Sequence, residues 1–184
     1  MSRGRAAAAL ALSAALLAGC DRERALAERQ VRAYDAALVA AYASDDFHGL
    51  AEAAGEVEQG RVRALVDRKR RAGYRLEARL EALEVEQVAR PGPGALQVTA
   101  RERWRYHERP TRPNLAPKPE IKAVIALAYE LRQEDGRWRV EGGRATSTVY
   151  DGQRPTPARL EDHAAGMSEA PTPPERAPSP APRE

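Results

Sequence analysis

The chain has 184 residues, 30 basic and 27 acidic side chains, a formal net charge of +3 and a single cysteine. One cysteine excludes a disulfide framework, a dithiol redox couple and a thiolate metal cluster, so the fold must stand on its apolar core. Nucleic-acid binding asks for a large basic excess gathered on one element, and so small a net charge gives no reason to expect it.

The amino terminus carries Arg3 and Arg5, then an apolar run from Ala6 to Ala18 broken only by Ser13, then Leu17-Ala18-Gly19-Cys20. This is the pattern of a secretory signal with a small-residue cleavage site. Thirteen residues are too few for the ~20 that cross a hydrocarbon core. Residue by residue the stretch resembles the lipobox of bacterial lipoproteins. The resemblance implies removal of residues 1–19, a diacylglycerol on the Cys20 sulfur and an acyl group such as palmitate on its new amino terminus. Each buried methylene contributes ~0.8 kcal/mol, so several chains anchor a protein without a spanning helix. The implied address is the bacterial cell membrane, facing the periplasm or extracytoplasmic side. Asp21 resembles the inner-membrane retention signal of enterobacteria, a rule that does not extend to all bacteria. Cleavage removes two arginines and no acid, leaving 28 basic against 27 acidic side chains, and export makes a nucleic-acid partner unexpected.

Residues 22–43 are rich in Ala, Leu, Glu and Arg, which favour helix. Leu26, Gln30, Val31, Tyr34, Leu38, Ala41 and Tyr42 form its apolar stripe. Ser44-Asp45-Asp46 ends it and caps a short second helix from Asp46 to about Ala54, with Phe47 and Leu50 inward. A third helix, Glu56 to about Ala72, turns Val62, Leu65 and Val66 to one face and stops at Gly73. Its arginines and lysine, from Arg61 to Arg71 with Arg75 beyond, read either as a patch for anionic headgroups or as a solvated face balanced by Glu56, Glu58 and Asp67, and the solvated face is favoured.

A first strand is predicted from Tyr74, with a bulge near Ala82 resetting its phase, up to the turn at Pro91-Gly92-Pro93-Gly94. In the second strand Leu96, Val98, Ala100, Glu102, Trp104 and Tyr106 share one parity and Gln97, Thr99, Arg101, Arg103 and Arg105 the other, so one face is buried and one is wet. The arginines serve either as an interface or as partners of glutamates on the next strand, such as Glu84 and Glu86. A proline-broken loop spans residues 107–119. A third strand follows, with Ile121, Ala123, Ile125, Leu127, Tyr129 and Leu131 on one face. Glu134-Asp135-Gly136 is a hairpin turn, and Trp138 and Val140 open a fourth strand that continues past Gly142 and Gly143. Residues 151–184 hold eight prolines and few large apolar residues, a composition that predicts a disordered tail. The domain expected is therefore residues 20–150, of the α+β class, with helices packed on a curved antiparallel sheet of about four strands.

Leu80 to Val88, Ala100-Arg101-Glu102-Arg103-Trp104, and Tyr129-Glu130-Leu131 with Gly136-Arg137-Trp138-Arg139-Val140 resemble the nuclear transport factor 2-like cone. In particular they resemble the intermembrane-space domain of chloroplast division proteins. That fold hosts enzymes, ligand pockets and interaction modules alike, so it does not decide function. Its enzymes place a histidine or aspartate pair inside the cone. Here His48, His107 and His163 are not at ligand spacing, and no zinc, nucleophile-elbow or phosphate-loop motif occurs, so neither metal nor cofactor is expected. His48 with Asp45, Asp46 or Glu102 is the one acid–base set available to an isomerase- or dehydratase-like enzyme. A small-ligand or lipid carrier would use Trp104, Tyr106, Tyr129, Trp138 and Glu102 as cavity walls, although strand parity reads the same aromatics as core. The reading preferred is a non-enzymatic lipoprotein, tethered through Cys20, that binds another envelope protein.

Overall fold

A computed structural model describes the backbone of residues 4–150 and 156–157, with side chains described from Asp21 to Tyr150. The Cys20 side chain, and all of the tail except Thr156–Pro157, lie outside the described residues. Three helices precede the sheet: α1 (Gly4–Ser44), α2 (His48–Ala53) and α3 (Glu56–Arg71). Four long strands follow, β1 (Tyr74–Gly92), β2 (Ala95–Pro110), β3 (Ile121–Glu134) and β4 (Arg137–Tyr150), and the two-residue β5 (Thr156–Pro157) closes the order. The strands pair in sequence order, each antiparallel to the next. This is the α+β architecture that helices followed by hairpin-linked strands imply.

Local chemistry sets the corners. Asp45 ends α1 with a positive φ of 58°, and the Asp46 carboxylate accepts the His48 backbone N–H at 3.0 Å. The second helix thus begins two residues later than predicted, because Asp46 is spent in the turn before it. Gly55 caps α3 and donates its N–H to the Val140 carbonyl at 2.9 Å, pinning the α2–α3 corner to β4. Asp135 and Gly136 both have positive φ, the requirement of the tight primed turns that match strand twist.

The first strand is continuous from Tyr74 and shifts register between Leu80 and Ala82. That bulge returns Leu83 and Val85 to the phase of the packed face. The second strand runs on to Pro110 rather than stopping at His107, because Tyr74, Arg75, Leu76 and Glu77 pair with its end. The proline-broken loop is correspondingly shorter, residues 111–120. One piece of the proline-rich tail is ordered on the sheet, with Thr156 and Pro157 opposite Thr148 and Ser147.

The core lies between the inward face of the sheet and α1, α2 and α3. Val31, Leu50, Leu96, Val98, Leu131 and Val140 are fully buried, and each such side chain contributes about 1.5–3 kcal/mol relative to exposure. The long axis of α1 follows β1. At one end Glu23 pairs with Arg90 at 2.6 Å and Arg24 reaches the Val85 carbonyl, while at the other end Tyr42 and Asp45 lie beside Tyr74 and Leu76. Among the described residues no helix is long and apolar enough to cross a membrane.

Candidate functional site

Period-two alternation in β2 delivers Glu102, Trp104 and Tyr106 to the inward face, and β3 brings Tyr129 beside them. Trp104 Nε1 donates to Glu102 Oε2 at 2.6 Å, and the Tyr129 hydroxyl donates to Glu102 Oε1 at 2.6 Å. The Trp104 and Tyr106 rings stack at 5.6 Å, and Tyr34 of α1 meets Tyr129 edge-on at 6.0 Å. These residues are therefore brought together, with α1 packed against them. Trp138 sits apart, half-buried, with the Arg90 guanidinium 5.9 Å from its ring. His48 is exposed at the start of α2, outside the buried cluster.

Asp35 is the member of this cluster that strand parity could not supply. It is 1% exposed, as is Glu102, and neither of its oxygens has a hydrogen-bond partner among the described residues. Burial first, then the charge of Glu102, pushes its carboxyl well above the usual carboxylate range, against a small opposing pull from Arg32. Burial also raises Glu102, while hydrogen bonds from Tyr129 and Trp104 pull it back. Two carboxylates in one apolar site cannot both ionise cheaply, so Asp35 is the one that retains a proton. Both are enclosed by packed side chains, and access for a substrate would require α1 to move.

An open cleft lies elsewhere, where the ends of α1 and α3 meet the start of β1. It encloses about 220 Å³, with Tyr42, Leu65, Val66 and Leu76 as apolar lining and Lys69, Arg70 and Arg75 as cations. The basic run of α3 is only partly the solvated face expected of it. Lys69 turns inward, is 7% exposed, and donates to Glu108 Oε1 at 2.6 Å. Lys118 holds the other oxygen of Glu108 at 2.8 Å and lies 4.6 Å from the centre of the Tyr74 ring. Arg70 pairs with Asp45, Arg75 with Glu77 at 3.6 Å, and Arg61 with Glu58 at 3.4 Å. Burial pushes the Glu108 carboxyl up, but hydrogen bonds from Lys118 and Lys69 outweigh it and hold the group below its ordinary value.

On the outward face of the sheet Arg101 pairs with Glu86 at 2.9 Å, and Arg105 with Glu81 at 2.5 Å and Glu120 at 3.4 Å. Glutamates of β1 and the loop are thus the partners of Arg101 and Arg105, with Glu86 among those expected and Glu81 and Glu120 in addition. Among the described residues no group of three or more His, Cys, Asp or Glu side chains is placed to hold a metal ion.

No protein-family model and no curated protein matches the chain. Among solved structures, 14 chains match. One is the crystal structure of the intermembrane space region of chloroplast protein ARC6, with a TM-score of 0.56 and 17% sequence identity, covering 65% of this chain and 93% of that one. At that identity the likeness is one of fold.

Proposed function

We propose that the chain is a membrane-tethered envelope lipoprotein, held through acylated Cys20 on the extracytoplasmic side of a bacterial membrane, and that its nuclear transport factor 2-like domain is a non-enzymatic protein-interaction module. What carries the reading is the arrangement of α1. Glu23 and Arg24, three and four residues after Cys20, reach Arg90 and the Val85 carbonyl near the end of β1, while its last turn borders the cationic cleft at the start of β1. Twenty-three residues of helix separate Asp21 from Ser44, about 35 Å at 1.5 Å per residue. A lipid at Cys20 would hold one pole of the domain at the bilayer and present the other to the surroundings. The packing of Tyr34 onto Tyr129 fits a helix that fills the cone, which favours a module read from outside over a carrier with an internal ligand.

The test is affinity capture of tagged full-length protein from gently solubilised native membranes, with a Cys20→Ala form as control. The intact mass of the purified protein should match a chain beginning at acylated Cys20, and a specific protein partner should be lost in the control. A bound lipid or metabolite without a protein partner would overturn the interaction reading, and an unprocessed, unacylated amino terminus would overturn the tether.

A further inference from the structure

We infer that the cleft between α3 and the start of β1 is a docking site for an acidic peptide segment that inserts one apolar side chain, an inference that rests on the tethered-module reading above. The cleft has two parts. Its base is apolar, made by Tyr42, Leu65, Val66 and Leu76. Its lining is cationic: Lys69, Arg70 and Arg75 stand there against one carboxylate, Asp45, and the acids that pair with Lys69 and Arg75 from outside the lining, Glu108 and Glu77, are each shared with a second cation, Lys118 and Arg109. Arg112, next in sequence to the lining residue Thr111, donates to the Arg71 carbonyl at 3.4 Å and lies beside Gly73.

Size separates the peptide from a metabolite. Pockets for small molecules usually enclose ~300–1,000 Å³. The 220 Å³ here falls below that range and suits a single leucine- or phenylalanine-sized side chain. Position separates the peptide from the membrane. In a tethered chain the cleft stands about 35 Å from Asp21 along α1, several times the ~8 Å over which salt screens headgroup charge at physiological ionic strength. With α1 standing upright on the bilayer that holds Cys20, these cations would be out of reach of its headgroups. An apolar anchor in a pocket, flanked by charge-assisted contacts at the rim, is the usual economy of peptide recognition. Arg70 and Arg75 are exposed and would exchange weak internal pairs for the partner's carboxylates.

The experiment uses the full chain in detergent micelles and a fluorescein-labelled decapeptide with four glutamates flanking a central leucine, read by anisotropy. The expected result is saturable binding, weakened at least about ten-fold when the leucine is replaced by alanine and abolished when the glutamates are replaced by lysines. Arg75→Glu should weaken binding about ten-fold or more, as should Arg70→Ala to a smaller degree, whereas Arg103→Glu on the outward face of β2 should not change it. No binding at millimolar peptide, or equal loss in Arg75→Glu and Arg103→Glu, would overturn the inference. So would Arg75-dependent binding of Cys20→Ala protein to vesicles of anionic phospholipid. A partner captured from membranes as readily by Arg75→Glu as by the parent would leave the interaction reading standing and remove this site from it.

Discussion

The Tyr129 hydroxyl and Glu102 Oε1 lie 2.6 Å apart in a core where Glu102 is 1% exposed. With Trp104 on its second oxygen, Glu102 accepts one hydrogen bond on each oxygen. Asp35 shares the same interior and has no such donors. An acid whose folded-state pKa is raised keeps a proton that the unfolded chain has already released. Stability is then full below the ordinary carboxylate range and falls as pH rises through and beyond it. Both groups are raised, Asp35 well above its ordinary value. The melting temperature of the parent should therefore decline as pH rises above the ordinary carboxylate range, and Asp35→Asn should flatten that decline. At pH 8 the variant should be the more stable of the two, because it carries no buried carboxyl that must ionise. Parallel pH profiles for the two proteins would mean that Asp35 ionises in the fold without penalty.

Lys69 and Glu108 make the second buried charge pair, but a third group, Lys118, shares the carboxylate. Removing the acid and removing one base should therefore be unequal. Glu108→Gln leaves two cations facing each other, one of them on a side chain 8% exposed, and should cost about 3–5 kcal/mol. Lys69→Met keeps the apolar stem and leaves Lys118 to neutralise Glu108, so its cost should be less than half of that. Urea unfolding of the two variants decides the matter, and the reverse order would place the energetic weight on Lys69 instead. Because Glu108 is held below its ordinary value, its contribution is present above the unfolded carboxylate pKa and disappears as pH falls through the folded one. Acid unfolding should accordingly begin at higher pH without Lys118, which Lys118→Ala tests.

These two clusters mark where sequence reasoning reached and where it stopped. Period-two alternation identifies Glu102, Trp104 and Tyr106 as one face because a strand repeats every two residues and errors do not accumulate. The bulge in β1 was also legible, since Leu80 and Leu83 cannot share a face of an unbroken strand, and the register does shift between Leu80 and Ala82. Asp35 was not legible. It lies next to Tyr34 on a helix whose apolar arc is wide enough to bury adjacent positions, and an aspartate there reads as the solvent edge of the stripe. Lys69 was lost for a related reason: it stands in a run of four cations, Arg68 to Arg71, and only the approach of β2 singles it out. The cleft joins side chains 69 residues apart, Tyr42 and Thr111, a proximity that no local pattern encodes.

Gly73 ends α3 with a φ of +83° and accepts two hydrogen bonds on its carbonyl from Thr111, from the backbone N–H at 2.8 Å and the hydroxyl at 2.9 Å. The hand-over from helix to sheet and the anchoring of the 111–120 loop thus meet at one residue. A Cβ there would lie 2.5 Å from Leu115 Cδ1 and 3.3 Å from the Arg112 side chain. Gly73→Ala therefore carries the left-handed backbone penalty of about 1–2 kcal/mol together with displacement of Leu115. Gly60, in the middle of α3, has ordinary helical φ, and a Cβ added there meets nothing within 4 Å. Gly60→Ala should stabilise the protein by roughly 0.5–1 kcal/mol, because alanine loses less conformational entropy in a helix. Thermal unfolding of both variants measures opposite signs for the same chemical change. Because Thr111 borders the cleft, Gly73→Ala should also weaken acidic-peptide binding, whereas Gly60→Ala, further up the helix, should leave it intact. A Gly73→Ala protein as stable as the parent would mean that neither the left-handed turn nor the seat of Leu115 constrains this corner.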